Sequence, residues 1–204
     1  MARTLGVVKA YYHARAPEYD DWFRGVGRYA DRDRTGWDED LAALVTTLEA
    51  LPPARTLDVA CGTGFLTRHL RGDLTCLDQS EAMLGIAGER VPHARLIQAD
   101  AFPLPFADDA FERVITGHFY GHLEEPERVA FVDEARRVAG ELVVVDSSQA
   151  HSPVAEEWQQ RILNDGSEWQ VYKRFFTGAG LADELGGGEI LHEGRWFVVV
   201  RAPA

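Results

Sequence analysis

The stretch TLDVACGTGF, residues 56–65, constrains the fold more than any other part of this sequence. It begins with a short apolar run that is typical of a buried parallel strand, and it ends with Gly62 and Gly64 in front of an apolar pattern of helical spacing. Glycine lets the backbone turn sharply and come close to a bound molecule, and the following helix N-terminus offers unpaired N–H groups. The stretch therefore predicts either a ligand-binding loop or a plain structural turn.

Length and charge narrow the class of protein. The chain has 204 residues, which fits one domain, and its formal net charge of −12 disfavours a nucleic-acid backbone or an anionic membrane surface as partner. No apolar run reaches membrane-spanning length, and the N-terminus lacks the apolar core of a signal peptide. The only cysteines, Cys61 and Cys76, favour a reducing cytoplasm and no metal site. We expect a cytoplasmic protein with a small-molecule partner, no nucleic acid and no membrane.

Apolar strand-like runs alternate with helical stripes along most of the chain. Strands are predicted at residues 57–60, 74–78, 94–100, 112–117 and 141–146, and helices at 37–51, 65–71, 80–91, 126–139 and 176–185. Residues 189–202 predict two further strands in a hairpin that turns at Gly194. The pattern predicts an α/β fold: a doubly wound, mostly parallel, seven-stranded Rossmann-like sheet with helices on both faces and an antiparallel terminal hairpin.

Glycine or polar residues follow each predicted parallel strand, at the edge where such sheets bind ligands. These are the Gly62/Gly64 turn, Asp78, Asp100, residues 116–118 and residues 146–147. Asp78 can accept hydrogen bonds from the two ribose hydroxyls and would repel a 2′-phosphate. The turn lacks the third glycine of a dinucleotide fingerprint, and Asp78 follows sooner than the usual distance of about 20 residues. An adenosine-type ligand without a pyrophosphate is predicted.

Four segments together resemble the class I S-adenosylmethionine-dependent methyltransferases, in particular their type 11 branch. The segments are LDVACGTGF, LDQSEAML, QADAFPLPFADDAFE and EARRVAG, and the resemblance covers roughly residues 11–185. It implies S-adenosylmethionine as cofactor and methyl transfer to a small molecule as activity. The family often has glycine at the position of Ala60, so the resemblance implies slightly less room in this protein for the methionine part of the cofactor.

The resemblance also implies which residues bind the cofactor. Asp58, Ala60, Gly62 and Gly64 would surround its methionine part, and Thr116 would lie near its sulfonium. Asp78 would bind the ribose, Asp100 and Ala101 would face the adenine, and Gln79, next to Asp78, would also bind the cofactor. The segment YYHARAPEYD resembles the part that closes over the cofactor in relatives. Tyr11 and Tyr19 are therefore candidates for its carboxylate end, or they only anchor this segment.

A general base is optional for methyl transfer, because alignment and exclusion of water supply most of the acceleration. For a hydroxyl acceptor, His118 is the candidate catalytic residue, and His122 is a second imidazole just beyond the fourth parallel strand. His122 can equally support the start of the next helix. No metal is expected in the reaction.

We expect a single methyltransferase domain, residues 1–204, as a monomer or homodimer. Residues 1–36 would form an N-terminal lid, 37–147 the cofactor-binding half, 148–176 an insertion over the acceptor side, and 177–204 the terminal helix and hairpin. The acceptor would contact the two aromatic segments, residues 5–29 and 151–176. Basic residues there favour an apolar acceptor with a carboxylate or phenolate, unless they pair with Glu156, Glu157 and Glu168; they are Arg161, Lys173 and Arg174.

Two other functions fit parts of the pattern. A nicotinamide-dependent oxidoreductase would use the same strand-end crevice, although the glycine fingerprint is incomplete. A protein that binds S-adenosylmethionine without transferring its methyl group would have the same site, because a binding site alone guarantees no chemistry.

Overall fold

The computed structural model describes residues 2–203, with side chains described from Lys9 onward. Its helices are α1 (Ala2–Arg15), α2 (Asp21–Arg24), α3 (Trp37–Ala50), α4 (Glu81–Arg90), α5 (Glu125–Val138) and α6 (Gly178–Glu184). Its strands are β1 (Ala54–Val59), β2 (Gly72–Asp78), β3 (Arg95–Gln98), β4 (Arg113–Gly117), β5 (Glu141–Ser147), β6 (Glu156–Ile162), β7 (Glu168–Arg174), β8 (Glu189–Glu193) and β9 (Phe197–Pro203).

Seven of these strands form one sheet in the order β3-β2-β1-β4-β5-β9-β8. β1 to β5 run parallel to their neighbours, whereas β9 lies antiparallel to β5 and β8 lies antiparallel to β9. This topology confirms the predicted α/β fold with its antiparallel terminal hairpin. Because β1, β2, β4 and β5 are parallel, the residues that follow them meet at one edge of the sheet.

The core lies on both faces of this sheet, as the continuous apolar strands predict. Successive side chains of a strand point to opposite faces, so Val143 and Val145 pack with α3 while Leu142 and Val144 pack with α5 and α6. All four valine and leucine side chains are buried. The two cores fix the sheet between helices and hold its strand ends in place.

The predicted helix at residues 65–71 is wrong, because only a short 3₁₀ turn, Thr67–His69, forms there. β2 already begins at Gly72, so the glycine turn and the return to the sheet use most of the residues after β1. The Thr67 hydroxyl donates a hydrogen bond to the Asp58 carboxylate, which ties this turn to the end of β1. The connection between β1 and β2 is therefore shorter than one that contains a full α-helix.

The segment predicted as an irregular insertion contains a regular antiparallel hairpin, β6 and β7, in a two-stranded sheet of its own. Its inner side packs on α1 through Tyr11, Leu163 and Val171. The Glu18 carboxylate also accepts a hydrogen bond of 2.7 Å from the backbone N–H of Asn164. We call α1 together with the β6–β7 hairpin the roof, because the two elements cover the strand ends as one packed unit.

Candidate functional site

A cavity of about 300 Å³ lies at the carboxyl ends of the parallel strands, under the roof. Its lining combines one buried carboxylate, backbone of the glycine turn and apolar side chains. The predicted site residues among the lining are Tyr19, Ala60, Gly62, Asp78, Gln79, Asp100, Ala101 and His118. The structure thus brings together residues from five separate parts of the chain. We call this space the strand-end cavity.

Asp78 ends β2 and is buried, with 6% of its surface exposed. Its Oδ2 accepts a hydrogen bond of 2.9 Å from the backbone N–H of Gly62, and its Oδ1 accepts one of 2.8 Å from that of Ser80. Burial raises the pKa of the Asp78 carboxyl, and the backbone donors oppose that rise. Each oxygen keeps a second lone pair, so the group can still accept from a ligand hydroxyl.

The backbone of the turn after β1 is held in an unusual conformation. Ala60, Gly62 and Gly64 have φ of 57°, 56° and 71°, in the left-handed region that glycine adopts without strain. Ala60 has a Cβ, so its conformation costs on the order of 1 kcal/mol. The turn brings the Gly62 backbone to the wall of the strand-end cavity.

Four predicted site residues do not line this cavity. Gly64 faces helix α4, where an added Cβ would lie 3.2 Å from Val91 and 3.4 Å from Ala87. The Thr116 side chain is fully buried and donates its hydroxyl hydrogen bond to the carbonyl of Val59 at 2.8 Å. The other two are Asp58, which accepts from Thr67, and Tyr11, which packs in the roof.

Several lining residues were not predicted as site residues, and Lys9 and Tyr12 are the most informative of them. The Lys9 ammonium donates to the Asp100 carboxylate at 3.1 Å, and both residues line the strand-end cavity. Lys9 and Tyr12 are three residues apart on α1 and share one face, whereas Tyr11 and Arg15 are four apart and share another. The helical spacing was visible in the sequence, but not which face covers the site.

A second and larger cavity, of about 750 Å³, lies on the other side of this lining. Its walls come from the roof, from residues 22–37 and from the loop after β5, and they are rich in aromatic side chains. We call it the roof cavity. Trp158 lines it, as predicted for the acceptor region, whereas Trp169 packs 5.9 Å from the Tyr11 ring and does not line it.

Tyr12, Tyr19, His118 and His122 line both cavities and form the wall between them. His122 Nδ1 lies 2.6 Å from the carbonyl oxygen of Tyr172. A carbonyl can only accept, so this contact places the proton on Nδ1 and leaves Nε2 as an acceptor. Burial lowers the pKa of His122 well below its ordinary value, and the nearby cation of Lys173 adds to that effect.

The His118 imidazole is enclosed more completely than that of His122. Its ring lies edge-on to Trp22 at 4.8 Å between centroids, and burial lowers its pKa to about 3. Nδ1 lies 3.9 Å from the Asp146 carboxylate, and Nε2 is buried without a hydrogen-bond partner among residues 2–203. His118 also has a φ of 56°, so its backbone is strained at the strand end.

Asp146, at the end of β5, forms a buried ion pair with Lys173 from the β6–β7 hairpin. Its Oδ2 accepts from the backbone N–H of Gly121 at 2.7 Å, and its Oδ1 accepts from that of Ser147. The Lys173 cation lowers the pKa of Asp146 against the effect of burial. This pair joins the sheet to the roof.

Asp58 supplies a pH-dependent contribution to stability. Burial raises the pKa of its carboxyl from 3.8 to about 7, against the hydrogen bond from Thr67. Between pH 3.8 and about 7, the folded chain therefore keeps a proton that the unfolded chain releases. The resulting stabilisation is complete below pH 3.8 and is lost as the pH rises through about 7.

Across that window, we expect wild type to lose about 4 kcal/mol of unfolding free energy relative to Asp58→Asn, because about three pKa units separate the two states. Chemical denaturation of both proteins at several pH values measures the difference. Parallel pH profiles for the two proteins would show that Asp58 does not titrate in this way.

No helix within residues 2–203 is both long and apolar enough to cross a lipid bilayer. The same part of the chain contains no cluster of three or more histidine, cysteine or acidic side chains arranged to hold a metal ion.

The fold is a doubly wound α/β sheet, and the strand-end cavity brings a carboxylate and a glycine turn together at its carboxyl edge, where sheets of this class bind ligands. A family model described as a methyltransferase domain matches residues 56–141. That range begins in β1 and reaches the start of β5, so it contains most of the cavity-forming strand ends. Over this range the chain is similar to the class I S-adenosylmethionine-dependent methyltransferases that the sequence resembles.

Individual relatives show the same similarity. A demethylmenaquinone methyltransferase of Staphylococcus haemolyticus is 33% identical over 135 residues, which are 60% of this chain and 50% of that protein. The chain thus spans about half the length of this relative. The solved structure titled DhpI-SAM-HEP complex matches with a TM-score of 0.75 and 25% identity over 98% of this chain and 97% of the other. A DhpI-SAH complex matches with a TM-score of 0.71 and 26% identity, over 96% and 94% of the two chains.

Proposed function

We propose that this protein binds S-adenosylmethionine in the strand-end cavity and transfers its methyl group to a small molecule held in the roof cavity. The observation that carries the proposal is the wall of four side chains, Tyr12, Tyr19, His118 and His122, that lines both cavities. A methyl donor and an acceptor on its two sides would be neighbours. Side chains of the roof contribute to the lining of both cavities.

The residues of the strand-end cavity fit this cofactor. The Asp78 carboxylate offers free lone pairs to ribose hydroxyls, and the Gly62 backbone lies at the wall where a side chain would intrude. Leu77, Met83 and Phe102 supply apolar surface for a purine ring. Tyr19 remains a candidate for the carboxylate end of the cofactor, and Asp100 for the side that faces the adenine, as the family resemblance implies.

The bound cofactor would supply a methyl group on a sulfonium, ready for in-line displacement by a nucleophilic atom. The protein's own part is to align that atom and to exclude water, which is worth about 7–11 kcal/mol in well-oriented reactions. Tyr12 and Tyr19 lie 6.3 Å apart between ring centroids and line both cavities, so they would lie beside the line along which the methyl group moves.

For an acceptor that must lose a proton, His122 is the better placed imidazole. Its Nδ1 proton is held by the carbonyl of Tyr172, so Nε2 can accept a hydrogen bond from the acceptor on either side of the wall. Burial lowers the pKa of the His122 imidazole, so the ring is neutral with a free lone pair at physiological pH, and the same shift makes it a weaker base than an exposed histidine. His118 stays a prediction for the same role, with its Nε2 shielded by Trp22 and neighbouring rings.

We expect His122→Asn to lower turnover by about a hundredfold or more for a hydroxyl acceptor, which is the usual contribution of a positioned base. Cofactor affinity should stay within about threefold of wild type, because Asp78 and the glycine turn are unchanged. Single-turnover rates and cofactor titration measure the two effects. His118→Asn is the comparison, since asparagine tolerates the positive φ at that position.

A larger loss of turnover in His118→Asn than in His122→Asn would transfer the proposed role to His118. Equal and small losses in both variants would indicate that the reaction needs no side-chain base.

Calorimetry with S-adenosylmethionine and S-adenosylhomocysteine, followed by a methyl-release screen across metabolite pools, tests the proposed function. Cofactor binding with methyl release supports it. Binding with no release from any pool supports a cofactor-binding protein without transferase activity, the second function that this site fits. Binding of a nicotinamide dinucleotide in place of both compounds would support an oxidoreductase instead.

A further inference from the structure

The roof cavity is basic, although the chain as a whole carries a net charge of −12. Six of its lining residues are Arg or Lys, and two are Asp or Glu. A local excess of positive charge in an acidic protein attracts anionic ligands selectively. An anionic ligand binds best to those cations that no carboxylate of the protein already neutralises.

Two of these cations, the buried Lys173 and the partly buried Arg34, already have partners within the protein. Lys173 forms the ion pair with Asp146. Arg34 donates to the carbonyl oxygens of Trp22 and Phe23 at 2.8 and 2.9 Å, so its guanidinium holds a loop in place. Arg174, which does not line the cavity, forms ion pairs with Glu156 and Glu184. For Arg174, this confirms the predicted alternative that the basic residues pair with nearby glutamates such as Glu156.

Arg15 and Arg161 differ, because their hydrogen-bond partners in the described part of the chain are neutral. Arg15 is buried, with 6% of its surface exposed, and donates to the Tyr29 hydroxyl at 3.3 Å. Arg161 donates to the Tyr11 hydroxyl at 3.4 Å and to the side-chain oxygen of Gln159 at 2.7 Å. Neither guanidinium forms an ion pair with a described carboxylate, so two cations share this wall without a counter-ion.

The two guanidinium groups lie close to the same aromatic ring. Arg15 is 5.7 Å and Arg161 is 5.9 Å from the centroid of Tyr11, and Arg15 also lies 4.8 Å from that of Tyr19. Contacts with aromatic faces stabilise a desolvated cation without neutralising it. They also fix the planar groups, which saves part of the conformational cost of binding a ligand.

We propose that Arg15 and Arg161 form an anion subsite in the roof cavity, which binds an oxyanion group of the methyl acceptor, a carboxylate in the simplest case. This inference rests on the proposed function, because it assigns the acceptor to the roof cavity. An arginine fork matches the two oxygens of a carboxylate, and the aromatic walls bind the apolar remainder of the molecule. The subsite would anchor the acceptor and leave its nucleophilic atom at the wall of His118 and His122.

Benzoate and benzamide test the subsite, because they have the same shape and differ in charge. We expect benzoate to bind the protein saturated with S-adenosylhomocysteine at millimolar concentrations, and benzamide to bind at least about tenfold more weakly. In Arg161→Gln, benzoate affinity should fall by at least about tenfold, while benzamide affinity is unchanged. Arg161→Lys keeps the charge but loses the fork, so it should retain part of the benzoate affinity.

Arg55→Gln is the matched control, because Arg55 is an exposed arginine near the start of β1, at the opposite end of the sheet. It should leave benzoate affinity unchanged. Equal affinities for benzoate and benzamide, no benzoate binding at millimolar concentrations, or an unchanged benzoate affinity in Arg161→Gln would each overturn the subsite. Failure of the proposed function is seen separately, as absence of S-adenosylhomocysteine binding to the wild-type protein in the same calorimeter.

Discussion

Asp78→Ala is expected to lower the affinity for S-adenosylmethionine by about tenfold to a hundredfold. The carboxylate is buried and lines the strand-end cavity, and under the proposed binding mode its loss would leave two ribose hydroxyls without a partner, a cost of about 1–3 kcal/mol. The variant also loses the acceptor of the Gly62 and Ser80 amides, so the turn after β1 becomes less well held. Calorimetry measures the affinity, and circular dichroism with thermal unfolding measures the change in the fold.

Asp73→Ala is the matched control for this change. Asp73 is an exposed aspartate on the same strand as Asp78, near its other end, and it should change neither affinity nor fold. A folded Asp78→Ala protein with the affinity of wild type would show that this carboxylate does not contact the cofactor. Asp78→Asn, which keeps one oxygen and the side-chain shape, should give an intermediate affinity.

Gly62→Val is expected to abolish measurable cofactor binding. Gly62 has a φ of 56°, a conformation that a β-branched residue adopts only with strain of about 1–3 kcal/mol. Its backbone lines the strand-end cavity, and an added Cβ would point toward the Tyr19 ring, 3.6 Å away. The larger valine side chain would occupy space at the cavity wall, so both strain and exclusion act against the ligand. Calorimetry with S-adenosylhomocysteine checks the result.

Gly187→Val separates these two effects. Gly187 has a φ of 110° and nothing within 4 Å of an added Cβ, so valine there introduces backbone strain far from the site. Both variants should unfold at lower temperature than wild type, but only Gly62→Val should lose the cofactor. A folded Gly62→Val that binds normally would mean that this turn does not approach the ligand.

Features of this protein that depend on neighbouring residues in the chain could be predicted from its sequence, whereas features that depend on contacts between distant residues could not. Asp78, the glycine turn and Asp100 could be placed at one edge because an apolar run followed by a polar residue defines a strand end, and parallel strands end on the same side. That inference needs only local patterns and one general rule of sheet topology. It correctly brought Gly62, Asp78 and Asp100 to one cavity, whereas the family resemblance supplied Ala60, Gln79 and Ala101, which also line it.

The roof shows where local patterns were insufficient. Residues 156–174 contain many charged side chains and no clear alternation, yet they form a regular hairpin. The hairpin owes this to distant contacts: Leu163 and Val171 pack on Tyr11, and Lys173 pairs with Asp146. Because tertiary packing overrides weak strand propensity, the sequence predicted only an irregular insertion.

Outside residues 65–71 and the β6–β7 hairpin, sequence alone determined the order of the sheet strands and their helices, the terminal hairpin and the acidic and glycine positions at the strand ends, because these depend on periodicity and on chain neighbours. Only the tertiary structure decided that Lys9 and Tyr12 face the strand-end cavity while Tyr11 faces the hairpin. It also decided that Arg15 and Arg161, 146 positions apart in the chain, meet at one ring. The physical reason is that helical periodicity shows which residues share a face of a helix. Only the element packed against the helix decides which of these faces becomes part of the site.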